Sequence, residues 1–203
     1  MKKNITFQAI LLALFLFISG NITAQQNGSE KEYYMSTSFH EPADEGLRLL
    51  YSEDGIHWDS IPGTWLTPQI GDKIMRDPSI WKGPDNVYHM VWTIAWKGDS
   101  GFGYACSKDL IHWSEQKCIP VMDHQKGTYC VWAPELFYDD VKQQYLIVYS
   151  SLVNDSTCTG RNMEHGDYHR LYYVTTRDFK EFSKAKVFYD VKSRWWTFRY
   201  SFI

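Results

Sequence analysis

Two carboxylates flank the prolines of two similar segments. Asp77 precedes Pro78 in Arg76-Asp77-Pro78-Ser79-Ile80-Trp81, and Glu135 follows Pro134 in Ala133-Pro134-Glu135-Leu136-Phe137-Tyr138. A carboxylate pair around a polar mouth suits hydrolysis of a glycosidic bond: one acid protonates the leaving oxygen while the other group activates water. Arg76 beside Asp77 is expected to hold it ionised, as a base or a sugar-binding acceptor requires. Trp92, Trp96 and Trp132 offer aromatic faces that accept the apolar face of a sugar ring. Each group also has a plainer use. Asp before Pro is a common turn element, Glu can cap a strand end, and tryptophans fill cores.

Two interleaved repeats must position these groups. Leu50-Tyr51-Ser52-Glu53-Asp54-Gly55-Ile56-His57-Trp58, Ala105-Cys106-Ser107-Lys108-Asp109-Leu110-Ile111-His112-Trp113 and Val174-Thr175-Thr176-Arg177-Asp178-Phe179-Lys180-Glu181-Phe182 share one pattern: strand, hydroxyl, any residue, acid, turn, aromatic. The hydroxyl and the acid can bond local backbone N–H groups and hold a tight hairpin reversal. Repetition marks Asp54, Asp109 and Asp178 as scaffold. The second repeat is the X-Pro-X-aliphatic step, followed by the strand Val87–Trp92 in one copy and Tyr145–Tyr149 in the other. Together they predict units of four strands, an inner strand first and a hairpin last. That is the order of a β-propeller blade, and the chain is all-β. Inner strands surround a central channel, so Asp77 and Glu135 are expected at its mouth.

Along the chain, Lys2 and Lys3, the apolar run Ala9–Ile18 and Thr23-Ala24 read as an export signal over residues 1–24. The run is too short for a membrane-spanning helix, so the mature protein is expected to be periplasmic or extracellular and free of the membrane. Residues 25–32 are polar and expected to be disordered. A partial blade starts at Tyr33; full units run from about Met75 to Met122 and from about Val131 to Val187. Two longer insertions, His124–Cys130 and Asn154–Tyr168, sit where loops carry function, and they bring His124 and His165, with His169 beside them. From Val191 to Ile203 the blade pattern stops. The propeller is expected to comprise residues 33–190, about two and a half blades of a larger domain, with 191–203 a tail produced by truncation or a shifted frame. Open blade edges invite self-association.

A formal net charge of -3 gives no signature of nucleic-acid binding. Nine Trp and 14 Tyr exceed what a core of this size needs, which favours a carbohydrate-facing surface alongside blade packing. Of the four cysteines, only Cys106 and Cys118 have a geometric case for a disulfide, across the hairpin near Ile111, and free thiols are expected ahead of it. No metal-ligand spacing occurs, so no metal or cofactor is called for.

Met75-Arg76-Asp77-Pro78-Ser79-Ile80, His89-Met90-Val91-Trp92-Thr93, Gly103 through Trp113, and Trp132-Ala133-Pro134-Glu135-Leu136 together resemble glycoside hydrolase family 43, over about Tyr33 to Tyr189. The resemblance implies a five-bladed propeller that cleaves α-L-arabinofuranosyl or β-xylosyl linkages of plant polysaccharides with inversion. It places the general base at Asp77 and makes Glu135 a pocket-lining residue. The two other acids of the family, the proton donor and the group that tunes it, belong to later blades, so this chain is expected to be poorly active. Some relatives hold calcium in the channel, for which nothing here speaks. Fructan-cleaving propeller hydrolases share the Arg-Asp-Pro step, and a non-catalytic sugar-binding module is the remaining alternative.

Overall fold

Among the residues described by the computed structural model, 32–154 and 169–190, eleven strands form three antiparallel meanders. β1 (Tyr34–Ser38), β2 (Leu47–Ser52) and β3 (Asp59–Leu66) make the first sheet. β4 (Arg76–Lys82), β5 (Tyr88–Thr93), β6 (Phe102–Ser107) and β7 (Lys117–Ile119) make the second. β8 (Thr128–Asp139), β9 (Gln144–Val153), β10 (Arg170–Thr176) and β11 (Lys186–Asp190) make the third. The first strand of each sheet is its innermost: β4 lies beside both β1 and β8. Three blades are therefore present, the first of three strands and the others of four. The expectations for the export signal, for the insertion with His165 and Cys158, and for the tail fall on residues 1–31, 155–168 and 191–203, outside the described residues.

Strict alternation explains why the blades stack. On β5, Met90 and Trp92 face the first blade, where they meet Leu47, Leu49, Met75, Ala105 and Leu110. Val91 faces the third blade and joins Phe102, Tyr104, Leu136, Ile147, Tyr149 and Val174. A strand apolar on both faces must be covered on both, and the second blade is the layer between two cores. His89 shares the face of Val91. Its Nδ1 lies 2.8 Å from the Tyr104 hydroxyl, its Nε2 3.3 Å from an Asp85 oxygen, and its ring stacks on Phe179 at 4.2 Å. Burial, against the pull of Asp85, lowers its pKa. It is a core histidine.

The three hairpin phrases build one and the same turn. In the second copy Ser107 Oγ accepts from the N–H groups of Asp109 and Leu110, while Asp109 Oδ1 accepts from Ile111 and His112. The first and third copies repeat this with Ser52 and Asp54, and with Thr176 and Asp178. The fourth position is left-handed each time: Gly55 at φ 75°, Leu110 at 64° and Phe179 at 55°. Only the first copy fills it with the residue that adopts this backbone freely; in the other two, burial of Leu110 and Phe179 offsets the strain. The three aspartates are thus turn residues. The closing aromatics Trp113 and Phe182 pack against the cores, but Trp58, on the three-stranded blade, stays 41% exposed. Ser107→Ala is expected to cost about 1–2 kcal/mol in urea denaturation, since two N–H groups lose their acceptor, whereas Ser107→Thr retains most of the stability, as Thr176 does in its own copy.

The hairpin register overturns the case for a disulfide. Cys118 pairs with Gly103, and Cys106 pairs with His89 on its other side, so the two sulfurs are not cross-strand neighbours. Across the hairpin the Cys106 backbone meets Ser114 instead. Cys106, Cys118 and Cys130 are free thiols. Burial pushes Cys118 up to about 11 and Cys130 up to about 12, which leaves both inert as nucleophiles near neutrality.

Candidate active site

Both X-Pro steps put a kink into an inner strand. Asp77 has φ 49° and Ala133 φ 47°, each immediately before a proline, where a left-handed backbone is strained by about 1–3 kcal/mol. A bulge follows in both, between Arg76 and Ser79 on β4 and between Trp132 and Glu135 on β8. Bulges re-aim side chains, and here the matching places are Asp77 with Ala133 and Ser79 with Glu135. The two carboxylates therefore stand two positions apart in one motif, on opposite sides of its proline, one from each blade.

Hydroxyls of the second blade tie the two kinks together. Thr93, almost wholly buried at the end of β5, donates from Oγ1 to Asp77 Oδ2 at 3.0 Å and accepts from the Ala133 N–H at 2.8 Å. Ser79 Oγ accepts from the Leu136 N–H at 3.1 Å and also bonds the Glu135 carboxylate. Thr37 of β1 bonds the Pro78 carbonyl, so the first blade holds the same turn from its other side.

Burial raises the Asp77 pKa, and the charge of Glu41 adds to the rise. The Thr93 bond and Arg76 oppose it without reversing it. Arg76 favours the ionised form, as expected of it, but burial outweighs it. The guanidinium is committed elsewhere: its Nη2 pairs with Glu41 Oε1 at 2.6 Å, and its plane lies 3.8 Å from the centre of the Trp96 ring. A carboxylate with a raised pKa is a stronger base in its ionised form, which suits proton abstraction from water. Glu135 is raised too, mainly by burial and further by the Asp77 charge, while Ser79 opposes both.

The tryptophans divide. Trp96 is 49% exposed beside Arg76, and Trp132 meets it edge-on at 5.9 Å. Trp132 is fixed by its indole N–H, which lies 3.0 Å from the Trp96 carbonyl and 3.2 Å from that of Ala95, and His169 stacks on its ring at 5.1 Å. His169 Nδ1 lies 2.7 Å from Ser150 Oγ, and burial lowers its pKa to about 4, so the ring is neutral in ordinary buffers. Trp92 is no platform. It is fully buried against Gly103, on the face of β5 opposite to Thr93. His124 is exposed and away from these contacts. Among the described residues, no group of three or more His, Cys, Asp or Glu side chains converges to hold a metal. Sequence reasoning missed Thr93, Ser79 and Glu41. A hydroxyl on the core-facing side of a strand, at Thr93, was the available signal, because a buried hydroxyl needs a partner.

Meander sheets placed around neighbouring inner strands are those of a β-propeller, and its carboxylates lie at proline kinks, at the start of β4 and in the middle of β8. A family model described as a probable glycosyl hydrolase domain matches residues 30–197, and the chain belongs to this family-43-related group of glycosyl hydrolases. Among solved structures, a thermostable family-43 glycoside hydrolase aligns with a TM-score of 0.57 at 17% identity, over 81% of this chain and 51% of its own. An N-acetylgalactosamine deacetylase from F. plautii, solved with blood group B trisaccharide, aligns with a TM-score of 0.53 at 16% identity, over 77% of this chain and 49% of its own. A β-1,2-mannobiose phosphorylase from Listeria innocua gives a TM-score of 0.50 at 14% identity, over 71% and 36% of the two chains. At these identities the likeness is one of fold. The chain spans about half the length of the first two structures. No curated protein matches by sequence.

Proposed function

We propose that the Asp77 site is the base-bearing part of an inverting glycoside hydrolase for arabinofuranosyl or xylosyl linkages of plant polysaccharides, in an exported protein. The observation that carries the reading is the strained, pre-proline Asp77 at the start of an inner strand, its carboxyl gripped by Thr93. In this reading Asp77 takes a proton from water, whose oxygen attacks the anomeric carbon on the face opposite the leaving oxygen. The leaving oxygen needs a proton in turn, and none of the described residues is assigned to deliver it. Glu135 lines the pocket, with Trp96, Trp132 and Arg76 contacting sugar. The export signal rests on the composition of residues 1–24.

Aryl glycosides test this directly, since an acidic phenol leaves without a proton donor. The purified chain is expected to turn over aryl α-L-arabinofuranoside or aryl β-xyloside slowly, with far weaker action on natural linkages, and proton NMR of the first product is expected to show the inverted anomer. Release of fructose from fructan in place of pentose would move the substrate class. A second reading, a sugar-binding module without catalysis, is favoured by the half-exposed Trp96 beside Arg76. It predicts saturable oligosaccharide binding, lost in Trp96→Ala, with no turnover of any aryl glycoside.

A further inference from the structure

We propose that Thr93 is a positioning residue for Asp77, coupling the aim of the carboxyl to the seating of the neighbouring blade. This deepens the reading of Asp77 as the base and rests on it for its catalytic consequence. A hydroxyl has one proton to give, and Thr93 gives it to Asp77 Oδ2 while receiving the Ala133 N–H. Ala133 is the residue that occupies on β8 the left-handed pre-proline place that Asp77 occupies on β4. One side chain thus joins the two strained positions of adjacent inner strands. The Ala133 N–H fixes the acceptor side of the Thr93 hydroxyl and so helps aim its proton at the carboxylate. Thr93 cannot reach substrate through this arrangement, as it is almost wholly buried. It acts through Asp77.

The other charged groups around Asp77 do not share the task. Arg76 is paired with Glu41 and stacked on Trp96, and Glu41 and Glu135 bring charge of the same sign as Asp77. Thr93 is therefore the donor among the described hydrogen bonds to the Asp77 carboxylate.

The test is a carboxyl carbon-13 NMR titration of the 203-residue chain, with the Asp77 signal assigned by its loss in Asp77→Asn. Thr93→Val keeps the shape and removes the hydroxyl, and is expected to raise the Asp77 midpoint; Thr93→Ser is expected to restore it. On aryl glycoside, the same Val variant is expected to lose about tenfold or more in kcat/KM, the worth of one hydrogen bond to a charged group, with its acid limb moved to higher pH and with Ser rescuing both. An unmoved midpoint in Thr93→Val, or a Ser variant that shifts as far as Val, would overturn the proposal. If Thr93→Val does not fold, the wild-type chain decides: a slowly exchanging Thr93 hydroxyl proton is expected, and rapid exchange with solvent overturns the proposal. The titration involves no substrate. A chain that titrates as expected but hydrolyses nothing sinks the assignment of Asp77 as base and leaves the Thr93 coupling standing.

Discussion

Gly103→Ala is expected to lower the unfolding free energy by about 3 kcal/mol, although glycine here sits in an ordinary strand and adopts no left-handed backbone. Trp92 on β5 pairs with Gly103 on β6, and the indole lies across the space where a Cβ would stand. An added methyl would come closer than 3.0 Å to three indole atoms. The ring has no room to yield, being fully buried among Met90, Leu47 and Leu49. Nor can β6 retreat, since Phe102 and Tyr104 on either side of the glycine are packed into the opposite core. Close-packed interiors convert such an overlap into displaced backbone. Urea denaturation checks the size of the effect, and a second variant checks its cause. In a Trp92→Leu background the Gly103→Ala step is expected to cost markedly less, since the clash has lost its partner. Strict additivity of the two substitutions would mean that the methyl is resisted by something other than the indole.

The same pair of residues shows what sequence could and could not reveal. The blades were legible because alternation, the X-Pro step and the Ser-x-Asp turn are local patterns, and each folds locally into what it encodes. The sides of the strands were legible too: Trp92 and Thr93 are consecutive in β5 and so must face opposite cores. Grouping Trp92 with Trp96 and Trp132 as a sugar platform ignored that constraint. The upward shift of the Asp77 pKa was not legible, because it depends on how deeply the kinked strand is covered and on Arg76 pairing with Glu41, a residue of the loop between β1 and β2. The link from Thr93 to Ala133 spans 40 residues and exists only once two blades are stacked. The disulfide alternative to free thiols fell on register alone: the position of Cys118 opposite Gly103 is fixed by where β7 starts pairing, which no local pattern dictates.

Asp77→Asn separates the scaffold and catalytic readings of this residue, with an expected loss of at least about 100-fold in turnover of aryl glycoside. Asparagine is the informative replacement because it tolerates the left-handed backbone at φ 49° and its side-chain oxygen can still accept from Thr93. Alanine would add backbone strain and confuse the two roles. The sign of the stability change then discriminates. Burial raises the carboxyl's pKa in the folded chain above its unfolded value, so the native state holds its proton more tightly than the unfolded state does. The contribution of Asp77 to stability is complete below the unfolded pKa and is lost as pH rises through the folded one. Near neutrality the ionised, half-buried Asp77 is a liability that a neutral amide relieves. Asp77→Asn is accordingly expected to be as stable as the parent, or more so, in denaturation at pH 7 while its turnover disappears. The parent's own rate should fall on acidification at a higher pH than an unperturbed aspartate would give, because only the ionised form abstracts a proton. A turn residue behaves in the opposite way. If Asp77→Asn lowers stability and leaves aryl glycoside turnover intact, Asp77 serves the kink and not the chemistry, and the base must lie elsewhere.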